Sequence, residues 1–318
     1  MIVPASTRIP FHRAAAGTVN PLGVHAGLWT AGWSHDEARF AIEGSAAAGF
    51  DLIEIPLIDP RSSDLLLTEA LLEANGLDAV VSLALGVDSD INTDVSTPQG
   101  AASSARGEQL LLDAVEFARS IGAGYVGGVT FSAMTRYGHP ATEAGRANSL
   151  AVLSRVAAVA AEAGILIGLE YVNRYESNLL NTAAQTREFI GELEARGAQN
   201  VLLHIDTFHV NGEELSQAAA VHDAGSALGY IHASENHRGQ LGTGSNDWPG
   251  LFSALADTGY IGPITFESFS PAVVSAASRD DIGLWRTLWH DPTAVAAAGA
   301  RFLRRQLAAS DRLLSTTH

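Results

Sequence analysis

The chain has 318 residues, enough for one (β/α)8 barrel of about 250 residues with extra segments. Thirty-five acidic against 19 basic residues give a net charge of −16, which opposes a broad grip on nucleic acid or an anionic membrane surface. Zero cysteines exclude disulfides, thiolate metal sites and thiol nucleophiles, so any metal must be held by oxygen and imidazole. No run reaches the roughly 18 consecutive apolar residues of a membrane span. The first twenty residues hold Arg8 and Arg13 but no continuous apolar stretch, so a loose amino-terminal arm over 1–20, followed by one domain over 21–318 in a cytoplasmic protein, is the expectation.

Residues 23–29 suit a first strand, and Ser34 with Glu37 three residues on opens a helix to about Ala48 with a capping-box pattern. Strand two, 52–56, carries Glu54 on the face opposite Ile53 and Ile55. A helix over 63–75 stops at Gly76, strand three takes 78–85, and a long polar loop over 86–102 leads to a helix over 105–120. Glycine-rich residues 122–130 form strand four, and the loop after it, 131–140, is a lid candidate. A helix over 142–163 has Leu153, Val156, Ala157 and Ala160 at helical spacing. Thr182 with Gln185 opens the next helix, which ends near Arg196. Further helices are expected to begin near Glu213 and near Trp248, and the tail beyond Pro271 to hold 282–289 and an alanine-rich helix over 293–309.

The remaining four strands share a pattern. The apolar runs ILIGLE, VLLHID, GYIH and PITFE end in Glu170, Asp206, His232 and Glu267, 36, 26 and 35 residues apart, spacings that fit βαβ units of about 30 residues. Taken alone, a strand-end Glu such as Glu170 reads more often as a structural ion-pair partner than as a catalyst; the recurrence favours a shared site. By strand alternation Glu170 shares a face with Gly168, Asp206 with His204, His232 with Tyr230 and Glu267 with Thr265, while Leu169, Ile205, Ile231 and Phe266 face the other way. A (β/α)8 TIM barrel with extra C-terminal helices is therefore the expected fold, with a doubly wound sheet as runner-up. In a barrel, all four residues fall at the catalytic end.

Three carboxylates and one imidazole form a hard donor set that favours one divalent ion, Mn2+ first and Co2+ or Mg2+ next, over structural zinc. Glu170 and Glu267 come from strands five and eight, which lie three steps apart around the ring and so would face one another across a substrate. Such a pair can take a proton from one side of a carbon and return one to the other, inverting a stereocentre. A divalent ion holding a carbonyl and an adjacent hydroxyl would stabilise the cis-enediolate between the two steps.

The segments GLEYVNRYE, HIDTFHVNGEE, IHASENHRG, GTGSNDW, GYIGPITFESF and GLWRTLW resemble the ketose 3-epimerases, the D-tagatose and D-allulose (psicose) 3-epimerase group of the xylose-isomerase-like barrels, over roughly residues 23–307. The resemblance implies that Glu170, Asp206, His232 and Glu267 bind the metal, that Glu170 and Glu267 are the acid/base pair, and that Glu176, His209 and Arg238 grip the sugar oxygens. It implies a free ketose as substrate and a homodimer or homotetramer. Many relatives carry Trp in the loop after strand four, where this chain has Met134.

Other readings stand beside these. His209 could brace its loop, and Arg238 could be a surface ion pair. His204 reads as a hydrogen-bonded core histidine and Glu54 as a structural residue. Trp33, Trp285 and Trp289 read as packing or interface residues, whereas Trp29 and Phe131 could line the pocket. An aldose-ketose isomerase on the same barrel and a non-catalytic sugar-binding protein are the alternative functions. A phosphorylated substrate is disfavoured because no phosphate cradle is evident.

Overall fold

The computed structural model describes residues 9–11, 19–57 and 64–316, with side chains described to residue 310. Eight parallel strands close into a barrel in sequence order: β1 (Leu22–His25), β2 (Leu52–Pro56), β3 (Asp78–Leu85), β4 (Tyr125–Ala133), β5 (Leu166–Glu170), β6 (Val201–Asp206), β7 (Leu228–Ala233) and β8 (Ile264–Phe266). Strand β8 pairs with β1, which completes the ring. Alternating residues such as Val24, Ile53, Val81, Leu169, Ile205, Ile231 and Phe266 join the main core between strands and helices. The opposite face fills the barrel interior.

The helices are α1 (His35–Ala48), α2 (Leu65–Asn75), α3 (Pro98–Ser120), α4 (Glu143–Glu162), α5 (Ala183–Ala195), α6 (Thr207–Glu213), α7 (Gln217–Ala224), α8 (Trp248–Thr258), α9 (Ala276–Asp281) and α10 (Pro292–Thr316). Short polar caps start them: the Ser34 backbone N–H donates to Glu37 Oε2, and the side chains of Asp64, Thr142, Thr182 and Asp247 accept backbone N–H groups of α2, α4, α5 and α8. Helix α3 begins seven residues earlier than expected, because Thr97 caps it and Pro98 occupies the first turn. The helix expected near Glu213 is two helices, since Asp206 caps α6 directly at the end of β6. The tail supplies the last member of the helix ring: α10 packs between α8 and α1, buries Val295, Ala296, Ala300 and Leu303, and bonds through Arg304 to the Gly49 carbonyl. No helix among the described residues is long and apolar enough to cross a membrane.

The interior is layered. At the amino-terminal end of the strands Leu52, Val80, Tyr125, Leu166, Leu202 and Tyr230 form a separate apolar cluster, and Ile9 completes it with Phe11 packed alongside. Ile9 is 7% exposed. The expectation of a loose arm thus fails at residues 9–11, which plug the barrel floor; 1–8 and 12–18 lie outside the described residues. Gly168 on β5 has no side chain where Tyr125 crosses the interior, and a Cβ there would collide with the phenol ring. Replacing Ile9 by Ala should cost about 2 kcal/mol through lost burial and an unfilled floor. Denaturant unfolding of the two proteins would read this, and equal midpoints would show that the plug carries no stability.

Candidate metal centre and active site

Strand register brings the predicted residues together. Across β5 and β6 Glu170 pairs with His204, across β6 and β7 Asp206 pairs with His232, and across β1 and β2 His25 pairs with Glu54. Glu267 follows the last residue of β8, with its N–H bonded to Ala233 O. The result is a buried cluster at the carboxyl ends of the strands. His232 Nδ1 lies 3.3 Å from Glu170 Oε1 and 3.5 Å from Glu267 Oε1. Arg238 Nη1 lies 2.7 Å from Asp206 Oδ2 and also contacts Glu267. Three overlapping sets, Glu170 with His204 and His232, Glu170 with Asp206 and His209, and Asp206 with His232 and Glu267, each place their donor atoms within 4.8 Å.

Glu54 is more than a structural residue. Its Oε2 accepts from His232 Nε2 at 2.7 Å and from the Tyr230 hydroxyl at 2.9 Å. That bond fixes the imidazole, and with Nε2–H committed to Glu54 the Nδ1 lone pair is the one available to a cation. His25, not singled out from the sequence, sits 3.8 Å from Glu54 Oε1 through Nε2, while its Nδ1 accepts from Gly27 N–H. The same alternation that exposes Glu54 places Gly23 and His25 inward on β1, so the signal was present in the strand.

The electrostatics of the cluster suit a cation. Burial pushes Asp206 up to about 6, against the pull of Arg238. Burial likewise raises Glu170 and Glu267, opposed chiefly by His232 in the first case and by Arg238 in the second. For His232 burial acts downward, but the carboxylates of Glu54, Glu267 and Glu170 outweigh it and raise the imidazole well above its ordinary value. Four buried carboxylates therefore share one guanidinium and one imidazole. The donor chemistry and the surplus of negative charge fit a divalent ion held by Glu170, Asp206, His232 and Glu267.

The residues expected to hold substrate stand around this cluster. Burial lowers the His209 pKa and Arg238 lowers it further, so His209 is a neutral imidazole; its Nδ1 meets Asn173 Nδ2 at 2.9 Å and its Nε2 lies 3.6 Å from Asp206 Oδ2. Asn173 also donates to Glu176 Oε1 at 2.9 Å, whereas Glu176 Oε2 is buried without a partner. Arg238 is no surface ion pair. It is 7% exposed, lies 3.9 Å over the Phe208 ring, and has φ of 63°, a left-handed conformation that side-chain-bearing residues rarely adopt. Its N–H bonds Glu235 O, and its carbonyl accepts from Ser268 Oγ and Phe269 N–H. Backbone strain of this kind is held in place by the surrounding hydrogen bonds.

A cavity of about 200 Å³ opens over the cluster, lined by Glu170, His209, His232, Arg238 and Glu267 together with apolar Leu83, Met134, Phe269 and Ile282. Met134 follows β4 and the next residue, Thr135, donates its N–H to Glu176 O at 2.8 Å. Ile282 arrives on a segment whose base is clasped by Ser270 Oγ to Trp289 O and by Trp289 Nε1 to Ser268 Oγ. Trp29 and Phe131 belong instead to the hydrophobic core and line no part of this cavity. Trp33 and Trp289 are buried as packing residues, and Trp285 is exposed.

His204 differs from its expected role. It is fully buried, but neither ring nitrogen has a hydrogen-bond partner. An unpaired buried polar group of this kind costs about 1–3 kcal/mol.

Residues 42–306 match the family described as "Xylose isomerase-like TIM barrel". The chain is 42% identical over 284 residues to the L-ribulose 3-epimerase of Methylomonas sp. (strain DH-1), covering 89% of this chain and 96% of that protein. It is 43% identical over 288 residues to the ketose 3-epimerase of Arthrobacter globiformis, covering 91% and 97%. The crystal structure of a D-allulose 3-epimerase from Methylomonas sp. in complex with D-allulose superposes with a TM-score of 0.85 at 41% identity, covering 93% of this chain and 100% of that one. The resemblance carried by the strand-end motifs extends through nearly the whole chain, which belongs to the xylose isomerase-like TIM barrel family.

Proposed function

We propose that the protein is a divalent-metal-dependent ketose 3-epimerase acting on free ketoses of the D-tagatose, D-allulose, D-fructose or L-ribulose type. The observation that carries this reading is the buried cluster at the barrel mouth in which His232 Nδ1 lies beside both Glu170 and Glu267, with Asp206 grouped with His232 and Glu267. Names of relatives that match along almost their full length agree with it.

A divalent ion held by these four residues, Mn2+ by chemical preference, would polarise the ketose carbonyl and an adjacent hydroxyl. One of Glu170 and Glu267 removes the C3 proton and the other delivers a proton to the opposite face. Arg238, His209 and Glu176 hold sugar oxygens: the guanidinium and the imidazole line the same cavity, and Glu176 Oε2, 3.9 Å from His209 Nε2 and without a hydrogen bond, can accept one from a hydroxyl. Leu83, Met134, Phe269 and Ile282 give the same cavity apolar surface against which the sugar carbons can pack.

The deciding experiment is NMR of D-fructose, D-tagatose and L-ribulose incubated in D2O with protein and Mn2+, with an EDTA control. The expected result is deuterium at C3 together with the C3 epimer, both lost on chelation. Label at C1 with an aldose product would select the aldose-ketose isomerase, and binding without exchange would select a sugar-binding protein. Glu267→Gln should lower kcat by about 10^2 to 10^4-fold, the usual share of general acid–base catalysis, while leaving the fold intact by circular dichroism; full activity would remove Glu267 from the chemistry.

Metal removal has a pH signature. Asp206 is raised from 3.8 to about 6 in the fold, so its folded form binds the proton more tightly and its stabilising contribution falls as pH rises through that interval. His232, also raised, contributes below its unfolded value of about 6.5 and loses that contribution as pH rises through the folded one. Protons and a divalent ion compete for these groups, so saturating Mn2+ should raise the melting temperature more at pH 7.5 than at pH 5. Calorimetry at both pH values checks this, and an equal Mn2+ increment at both would argue against these carboxylates as ligands.

A further inference from the structure

His204 is a buried histidine to which the proposed reaction assigns no task. It occupies the inward face of β6, two residues before Asp206, where parallel pairing sets it directly beside Glu170. Its ring is fixed by packing: the centroid lies 4.2 Å from that of His232 and 4.8 Å from that of Tyr230, with both neighbours nearly perpendicular. Neither nitrogen has a hydrogen-bond partner, and an apolar side chain would fill this place without an unpaired donor. An acceptor lies just beyond hydrogen-bonding distance. Glu170 Oε2 lies 3.9 Å from His204 Nδ1, while Glu170 Oε1 is turned to His232 Nδ1 at 3.3 Å. The remaining gap closes by rotating the carboxylate about its last bond, the softest torsion of a glutamate side chain.

We propose that His204 is a positioning residue for Glu170: its Nδ1–H hydrogen-bonds Glu170 Oε2 and sets the rotation of the carboxylate, so that Oε1 stays directed at the metal and the substrate carbon. The inference rests on the reading of Glu170 as a member of the acid/base pair. It accounts for the choice of a histidine in a layer otherwise made of aromatic rings, and for a ring held rigid by its neighbours. Glu267 has its own orienting partner in Arg238. His204 supplies Glu170 with the equivalent.

The test compares wild type with His204→Phe, which keeps a packed ring and deletes the donor, and with His204→Asn, whose amide nitrogen reaches the position of Nδ1. Two readouts are taken: steady-state C3 epimerisation, and the electron paramagnetic resonance spectrum of the Mn2+-loaded proteins. His204→Phe should lower kcat by roughly 10- to 100-fold, the scale of a misplaced reacting group, with KM and melting temperature little changed. It should also alter the Mn2+ zero-field splitting. His204→Asn should recover most of the rate and the wild-type spectrum. Wild-type rate and spectrum in His204→Phe would overturn the proposal, as would a loss that follows the melting temperature and is not recovered in His204→Asn. A wild-type protein that exchanges no C3 hydrogen would remove the epimerase reading instead, and the spectral comparison would then decide the positioning of Glu170 alone.

Discussion

The surplus of buried negative charge at the barrel mouth is the constraint on which the rest of the site depends. Glu54, Glu170, Asp206 and Glu267 are each 7% exposed or less, and isolated ions so placed would neutralise themselves by taking protons. Among the described residues, Arg238 and His232 are basic groups paired with them. The arrangement is intelligible when a further positive charge belongs there, and it explains why Arg238 is held in a left-handed backbone conformation by three hydrogen bonds to its main chain. Glycine would relax that strain but carry no guanidinium.

The interior beneath the site is graded to support this charge. Ile9, Leu52, Leu166 and Leu202 form a dry floor. Above it Tyr125, His204 and Tyr230 form an aromatic layer, with Tyr125 and Tyr230 stacked at 4.7 Å. Tyr230 then bonds Glu54, and Glu54 bonds His232, so orientation passes upward from packed rings to a carboxylate and from that carboxylate to the imidazole. A ligand layer built in this way depends on strands, whose spacing is fixed, more than on loops.

The strand ends were legible in the sequence because strand alternation is rigid: once the apolar runs before Glu170, Asp206, His232 and Glu267 were recognised, their shared face followed, and register did the rest. Helix caps such as Ser34 with Glu37 were equally local signals. What was not legible depended on contacts between distant segments. Ile9 looks like part of a polar arm until the barrel floor is seen to need it. Asp206 as the cap of α6 was hidden by its candidacy as a ligand, though both follow from one side chain at a strand end. The partner of Glu54 lies 178 residues away, and no periodicity reports such a pairing. The lone nitrogens of His204 are of the same kind: inward direction was readable, but the lack of a bond is a property of the packed interior.

The two glutamates assigned to the proton transfers are held by different partners to a similar end. Burial raises both; His232 is the principal counterweight for Glu170 and Arg238 for Glu267. An epimerase interconverts two sugars of comparable energy, and a glutamate that is base in one direction would be acid in the other, so a large mismatch between the two would slow the exchange in both directions. His232 lies beside both carboxylates, and Arg238 adds a second positive neighbour to Glu267. This balance also limits what can be changed. Strengthening the hold on one glutamate, through a second cation or a drier pocket, would make it a better acid or a better base but worse at the opposite role, and both glutamates must serve in both roles as the reaction runs in either direction.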